Sequence, residues 1–478
     1  MSRAILSFVM MISLLGCVTP PHPVAPAPLV DAGRLGLGSA PVSVAADWWT
    51  SFQDPQLNQL IEQTLKDSPT LAQAQARLRA ASAQTEIAHA ATLPNAKLDA
   101  SALRQHAPEN YLFPAPLAGG DFWMAQAGAT LNWDLDFWGK QADAVKTAKA
   151  LTQASSLDID STRLMLAGAV AQAYVELYRS YALADIAAQA EEQRERIIKI
   201  TRRRVDAGLD THLELRLAES QLPQARVDHT QAVAARDLAV HQLAAIAGQG
   251  AEDYGALRRP TLNVDAALPV PTALPINLLA RRPDILAAKL RIDAADSQRL
   301  AAKAAFYPDI SLTALAGFGA FGLDNLVKWN ARGYGAGPLL SLPLFDGGRL
   351  RAEYKGSEAQ LDSVIAQYND TVLDAVHQTA DQLTRLDSLA RERVDQQQTL
   401  SASEDAYRIA EERYRAGLAN YLSVLNAETQ LFTARKALVD ITANQVVTRV
   451  TLLLAVGGSF DSNRASADFS QLTTRSNP

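Results

Sequence analysis

Two stretches of this chain, Lys140 to Asp206 and Arg349 to Ala416, contain no proline and one glycine each, Gly168 and Gly356. At 1.5 Å of rise per residue each can extend as one helix of about 100 Å, far longer than a compact globular domain needs. Each runs into a glycine, Gly208 or Gly417, suited to a left-handed helix cap, and then into a shorter partner stretch. The two are also copies of one another. Ala207-Gly208-Leu209 aligns with Ala416-Gly417-Leu418, and Leu213, Ala218, Glu219, Gln221 and Leu222 align with Leu422, Ala427, Glu428, Gln430 and Leu431, all at an offset of 209. Nearer the start of each copy, Ser68-Pro69-Thr70-Leu71 faces Arg282-Pro283-Asp284-Ile285 and Leu93-Pro94 faces Tyr307-Pro308, at an offset of 214. The first copy therefore holds about five extra residues in between, and the chain reads as a tandem repeat of large units.

Within that region each copy carries two segments that alternate with a period of two. Trp123, Ala125, Ala127, Ala129, Leu131, Trp133 and Leu135 share one face, while Met124, Gln126, Gly128, Thr130, Asn132 and Asp134 share the other. Leu98, Ala100 and Ala102 line one side of a partner strand, and Ile310, Leu312, Ala314, Ala316 and Phe318 do so in the second copy. The alternation predicts strands over 96–104, 122–135, 309–320 and 333–344. Trp123 and Trp133 are about 33 Å apart along a strand, roughly 25 Å when tilted, the height of the apolar band between the aromatic girdles of a membrane β-barrel. Four strands cannot close a barrel, but three subunits would supply twelve. A soluble antiparallel sheet facing a core gives the same alternation and stays open on this pattern alone.

Long helices are expected over 139–207, 210–247, 347–416 and 419–456, with shorter ones from Asp54-Pro55 and over about 70–92. Along the last long helix, Val424, Ala427, Leu431, Ala434, Leu438, Ile441, Gln445, Thr448, Leu452 and Ala455 fall on alternating three-four spacing, a sustained heptad seam. A plain intramolecular coiled coil has the same seam. Pro223 lies inside one shorter partner, where its repeat mate is Phe432, so the two hairpins should bend differently. The fold class expected is mainly α with a membrane β-barrel, each protomer giving four strands and long coiled-coil helices.

The chain ends set the compartment. Arg3, an apolar run from Ile5 to Leu15, and Leu14-Leu15-Gly16-Cys17 read as a lipoprotein signal over 1–16, with Cys17 as the acylated residue. Val18 follows where inner-membrane lipoproteins carry aspartate, which favours the outer membrane. Cys17 is the sole cysteine, so no disulfide forms. Residues 17–46 form a proline-rich tether, 47–250 and 277–459 the two repeats, 251–276 a proline-rich linker and 460–478 a tail. Val264 and Leu268 of the linker are placed to lie against the helices. Beyond the signal there is no uninterrupted run of 18 apolar residues, which leaves membrane crossing to strands.

Little in the sequence points to an enzyme. The net charge of −6 argues against a nucleic-acid partner. The seven histidines show no HExxH spacing, and no zinc site, cofactor site or catalytic cluster is apparent. Gly317-Phe318-Gly319-Ala320-Phe321-Gly322 fits a dinucleotide fingerprint, but a loop and another strand follow it where that fingerprint needs a helix. Arg202-Arg203-Arg204 reads as a solvated helix terminus favoured by the dipole.

Four motifs carry a resemblance to a known family. They are Trp48-Trp49-Thr50-Ser51-Phe52-Gln53-Asp54-Pro55-Gln56-Leu57, Leu278-Leu279-Ala280-Arg281-Arg282-Pro283-Asp284-Ile285, Ala304-Ala305-Phe306-Tyr307-Pro308 and Leu342-Pro343-Leu344-Phe345-Asp346-Gly347-Gly348-Arg349. Together they resemble the TolC-like outer-membrane factors, more closely the lipoprotein branch that includes the NodT and OprM types. The resemblance covers almost the entire mature chain. It implies a homotrimer whose twelve-stranded barrel crosses the outer membrane and continues as a twelve-helix tunnel into the periplasm. Such proteins are exit ducts of tripartite efflux or type I-like secretion systems, opened by a periplasmic adaptor and driven by an inner-membrane transporter. The resemblance puts adaptor contacts on Ala207, Gly208, Leu209, Ala416, Gly417 and Leu418. It puts the periplasmic constriction on Leu422 and Asn426, where an aspartate is common at the latter position. It puts a gate clamp between hairpins on Glu214 and Tyr414, and the arginine that can join such a clamp is replaced by Ala419. Helix capping explains the turn glycines equally well, and packing or solvation explains the other four residues. A lipid-anchored periplasmic coiled-coil adaptor and a lipoprotein enzyme are the other classes, separated from a duct by heat-modifiable trimers and ion conductance.

Overall fold

The computed structural model describes residues 20–38, 44–110, 118–266, 268, 270–275 and 277–460. Cys17 and the lipid expected on it lie outside these residues, as do the signal and the tail beyond residue 460. Helix α1 (Pro55–Asp67) starts where Asp54 accepts hydrogen bonds from the Gln56 and Leu57 amides and Pro55 fills the first turn. Helix α2 (Pro69–Ala90) leads into strands β1 (Asn95–His106) and β2 (Asp121–Leu135), then into α3 (Lys140–Asp206) and α4 (His212–Ile246). The second copy repeats the order with α5 (Pro283–Ala304), β3 (Asp309–Phe321), β4 (Arg332–Ser341), α6 (Arg349–Arg415) and α7 (Tyr421–Ala455). The lengths match in pairs: α2 and α5 have 22 residues, α3 and α6 have 67, α4 and α7 have 35. The tandem duplication is therefore structural. Strand β4 stops three residues before the expected 344, at Ser341, the register partner of Asp309 where β3 begins.

The chain forms two compact units, each drawing on both repeats. One contains the sheet, with Arg77–Ser155 and Ala287–Asn369 and the N-terminal segment up to Leu29. Its four strands run in the order β1-β2-β3-β4, every pair antiparallel, with β1 and β4 at the edges. Directly opposed residues share a face, so the register tests the expected alternation. Leu98 faces Ala129, which faces Ala316, which faces Tyr334; Trp133 faces Leu312, which faces Pro338. All the apolar series come together on one face, and among the described residues most of it is uncovered: Leu98, Tyr334 and Leu340 are 78%, 82% and 65% exposed, while Ala125 is buried. The other face carries Thr313 bonded to Asn132 at 3.1 Å and a run of glycines, Gly128, Gly317, Gly319, Gly333, Gly335 and Gly337. Gly128 and Gly317 are register partners, and a Cβ on Gly317 would stand 2.5 Å from Gly128 Cα. Backbones this close leave no room for a side chain at Gly317. Of the glycines that fit the dinucleotide fingerprint, Gly317 thus serves strand packing and Gly322, at φ +85°, the turn after β3.

The N-terminal proline-rich segment is docked along α6. The Val24 and Ala27 amides donate to Glu358 (3.0 Å) and Asp362 (2.9 Å), and Asn369 donates to the Pro28 carbonyl (3.0 Å). Ala27 also packs beside Ala295, Leu361 and Ile365. An extended proline-rich backbone leaves its amides free, and the carboxylates of α6 take them up.

The second unit comprises the described residues within Val30–Ala76, Ser156–Leu286 and Asp370–Pro478. Its main core joins Trp48, Phe52, Leu57 and Ile61 to Val170 and Tyr174 of α3, Leu243 of α4, and Val446, Val450 and Leu453 of α7. Leu262, Ala266 and Leu268 of the linker are buried in it, and Val264 packs against it. Asp54 ties the linker down: its Oδ2 accepts from Tyr174 Oη at 2.7 Å and from the Thr261 amide at 2.7 Å. Burial and that carboxylate push the Tyr174 phenol well above its ordinary pKa. Among the described residues α7 is the one helix long and apolar enough, by length and composition, to cross a membrane, a candidate the search for uninterrupted apolar runs missed. Its C-terminal half is committed to this core through Ala443, Val446, Val450, Leu452 and Leu453. Of the predicted seam, Val424, Leu431, Ala434, Gln445, Thr448, Leu452 and Ala455 are buried, while Ala427, Leu438 and Ile441 are half-buried. Phe432, Val446, Val450 and Leu453 are buried as well, because α7 packs on two sides rather than one.

Candidate functional site at the hairpin turns

The α3–α4 and α6–α7 turns are built alike. Gly208 and Gly417 take left-handed φ values of +73° and +79°, and the amides of Leu209 and Leu418 donate back to Arg204 O and Arg413 O, both at 2.8 Å. These bonds satisfy carbonyls that the ends of α3 and α6 leave free. Thr211 caps α4 and Asn420 caps α7, again at the repeat offset. The closed turns leave Leu209 and Leu418 pointing into solvent, 63% and 70% exposed, with Ala207, Gly208, Ala416 and Gly417 exposed beside them.

Beneath the turns the two hairpins are locked together. Tyr414 of α6 is fully buried; its hydroxyl donates to Asp210 Oδ2 at 2.6 Å and lies 2.9 Å from Thr201 Oγ1 of α3. Arg204 grips the same carboxylate with two nitrogens, at 2.8 and 3.0 Å, and donates to the Tyr414 carbonyl at 2.6 Å. Its guanidinium also lies 4.5 Å from the centre of the Tyr414 ring. Arg204 holds the Asp210 carboxyl below the usual carboxylate range. Burial, then the Asp210 hydrogen bond, pushes the Tyr414 phenol up to about 12. Ile197, Ile198, Ala218, Tyr407, Tyr421, Val424 and Leu431 surround the lock with apolar packing.

The residues expected at this end divide into those at the lock and those away from it. Tyr414 is its centre. Glu214 is engaged elsewhere: it accepts from the Thr211 amide at 3.0 Å and from the Thr211 hydroxyl, completing a capping box at the start of α4. Leu422 (54% exposed) and Asn426 stand one turn apart on the exposed face of α7, where Asn426 lines a groove with Thr399, Ala402, Ser403 and Ala406. Sequence reasoning missed Arg204, Asp210 and Thr201. Arg204 is only 8% exposed, so the arginine triplet is not uniformly solvated. Among the described residues no cluster of histidine, cysteine and acidic side chains could hold a metal.

A search of family models matches "Outer membrane efflux protein" over residues 60–249 and again over 274–458. The chain belongs to this family. As an outer membrane efflux protein it is an efflux channel of the outer membrane, which sets aside the periplasmic adaptor. It is 32% identical over 430 residues to the multidrug resistance outer membrane protein MdtP of Escherichia coli K12, covering 87% of this chain and 86% of that one. It is 40% identical over 321 residues to the fusaric acid resistance protein FusA of Burkholderia cepacia, covering 66% of this chain and 60% of that relative. Among solved structures this efflux protein is similar to the outer membrane protein VceC of Vibrio cholerae, with a TM-score of 0.82, 33% identity, and coverage of 87% of this chain and all of that one.

Proposed function

We propose that three copies of the chain pool their sheets into one closed twelve-stranded barrel and their long helices into a tunnel. The trimer is the exit duct of a tripartite efflux system. The sheet carries this reading: it has two edge strands and an apolar face that the chain itself leaves open, and such edges must be paired for a sheet to stand in lipid. The glycine-bearing face then lines the bore and the apolar face meets lipid.

The duct is passive and not an enzyme. The hairpin turns form its periplasmic end, with the lock of Arg204, Asp210, Tyr414 and Thr201 holding the turns together when the duct is shut. A periplasmic adaptor docks on the exposed turns at Ala207-Gly208-Leu209 and Ala416-Gly417-Leu418 and parts the hairpins, and an inner-membrane transporter supplies the energy. Leu422 and Asn426, exposed on one face of α7, form the narrowest rings. The cargo is small molecules of the kind that the relatives' names describe as drugs or fusaric acid. Acyl chains on Cys17 anchor the N-terminus, and no other cofactor is needed. Outer-membrane fractions should yield a heat-modifiable trimer that conducts ions in planar bilayers. A monomer, or a trimer without conductance, would falsify the duct. Cys17→Ser should abolish incorporation of labelled lipid while leaving the trimer assembled, which separates the anchor from the barrel.

A further inference from the structure

Glu428 lies on α7 among the apolar residues below the lock, only 3% exposed. Its nearest cation is Arg194 of α3, 3.7 Å from Oε2, beyond hydrogen-bonding distance. Arg194 instead donates to Gln221 of α4 at 2.6 Å. Glu428 Oε1 is buried and finds no hydrogen-bond partner among the described residues. The other groups that face it offer no compensation. From α6 come Tyr407 and Glu411, the latter held by Arg415; Arg196 of α3 stands near Tyr407, and Tyr421 comes from α7 itself. The repeat mate, Glu219, is half-buried and bonded to both Arg202 (3.0 Å) and Arg216 (2.8 Å). The second copy has thus taken a carboxylate inside without the two arginines that satisfy it in the first.

We propose that Glu428 and Arg194 form a proton-sensitive latch between the hairpins: neutral Glu428 keeps α7 seated on α3, and ionised Glu428 favours their parting and so the opening of the periplasmic end. The latch rests on the reading of the hairpin turns as the end that closes. Its sign follows from where the proton is held. Burial pushes the Glu428 carboxyl up to about 6, Arg194 opposes this, and an exposed glutamate titrates at 4.5. Between those values the seated state binds a proton that the parted state releases. Acid therefore holds the end shut and neutral pH loosens it. Asp210, held low by Arg204, stays ionised throughout that window.

The test uses the full-length trimer in planar bilayers over about pH 3.5 to 7.5, spanning the two titration points. Wild-type open probability should rise by up to about 30-fold with pH, tenfold for each unit between 4.5 and 6. Glu428→Gln should give a flat profile at the acid level. Arg194→Gln removes the cation that favours ionisation and should move the midpoint to higher pH. Asp210→Ala with Tyr414→Phe should raise conductance at every pH, as the check on where the duct closes. If that double variant conducts more while the wild type is flat, or Glu428→Gln keeps the wild-type profile, the latch is wrong and the closure stands. If the double variant changes nothing, the closure reading falls and the latch with it. Heat-modifiable trimers verify assembly; should Glu428→Gln not assemble, the direction of the Arg194→Gln midpoint decides.

Discussion

Arg204 makes three different contacts at once, to a carboxylate, a carbonyl and an aromatic face, and this sets how the lock fails. Removing it leaves Asp210 charged and buried without a counter-ion, which costs about 3–5 kcal/mol. Removing only the Tyr414 hydroxyl deletes one hydrogen bond to a charged group, about 1.5–3 kcal/mol. Arg204→Ala should therefore raise single-channel conductance more than Tyr414→Phe, and neither effect should depend on pH above about 5, since a depressed carboxylate loses its contribution only as pH falls through its own low pKa. Asn426 sets a different property. In the trimer proposed above, three neutral Asn426 amides would narrow the bore without a ring of charge, so Asn426→Asp should increase cation over anion selectivity, read as a shift of reversal potential in a salt gradient. At this scale the sequence was only partly readable. Tyr414 was found through its family position, but Asp210 has Ala419 as its repeat mate, and Arg204 sits in a triplet whose other two members are exposed. Burial separated the three arginines, and composition carries no trace of it. A signal was present nonetheless: an arginine and an aspartate six residues apart, straddling a turn glycine.

The helices, by contrast, were legible almost to their ends, because their signals are local. Freedom from proline, a glycine at each turn, and the offset of 209 are written in the chain, and the paired lengths follow from them. A side chain at Gly417 would force a left-handed backbone on an L-residue, at a cost of about 1–2 kcal/mol. Gly417→Val should fray the α6–α7 turn, seen as faster amide hydrogen exchange there, while Gly356→Ala, in open space within α6, should be silent. Less legible was what each helix touches. The heptad count foresaw one buried stripe on α7, whereas two neighbours bury two. Asp54 was readable as a helix cap, but its bonds to Tyr174 and Thr261 join segments far apart in sequence. Asp54→Ala should accordingly cost more than the ~1 kcal/mol of a lost cap, measured as a lowered midpoint of thermal unfolding, with the linker more open to protease.

For the whole molecule, the strand alternation was read correctly while its purpose was not decidable from alternation alone. The register settles the arrangement within one chain, since it brings every apolar series onto one uncovered face. The close Gly128–Gly317 pairing then marks where the two central strands tolerate no side chain. Gly317→Val should force β2 and β3 apart and reduce the yield of heat-modifiable trimer, leaving the helical content by circular dichroism unchanged. A further consequence concerns flow. Six glycines on the side that we assign to the bore leave patches of bare backbone between the side chains of Lys97, Asp99, Gln126 and Asn132. Where the backbone is bare a passenger meets only peptide groups, so any sorting along this stretch falls to the few charged and amide side chains between.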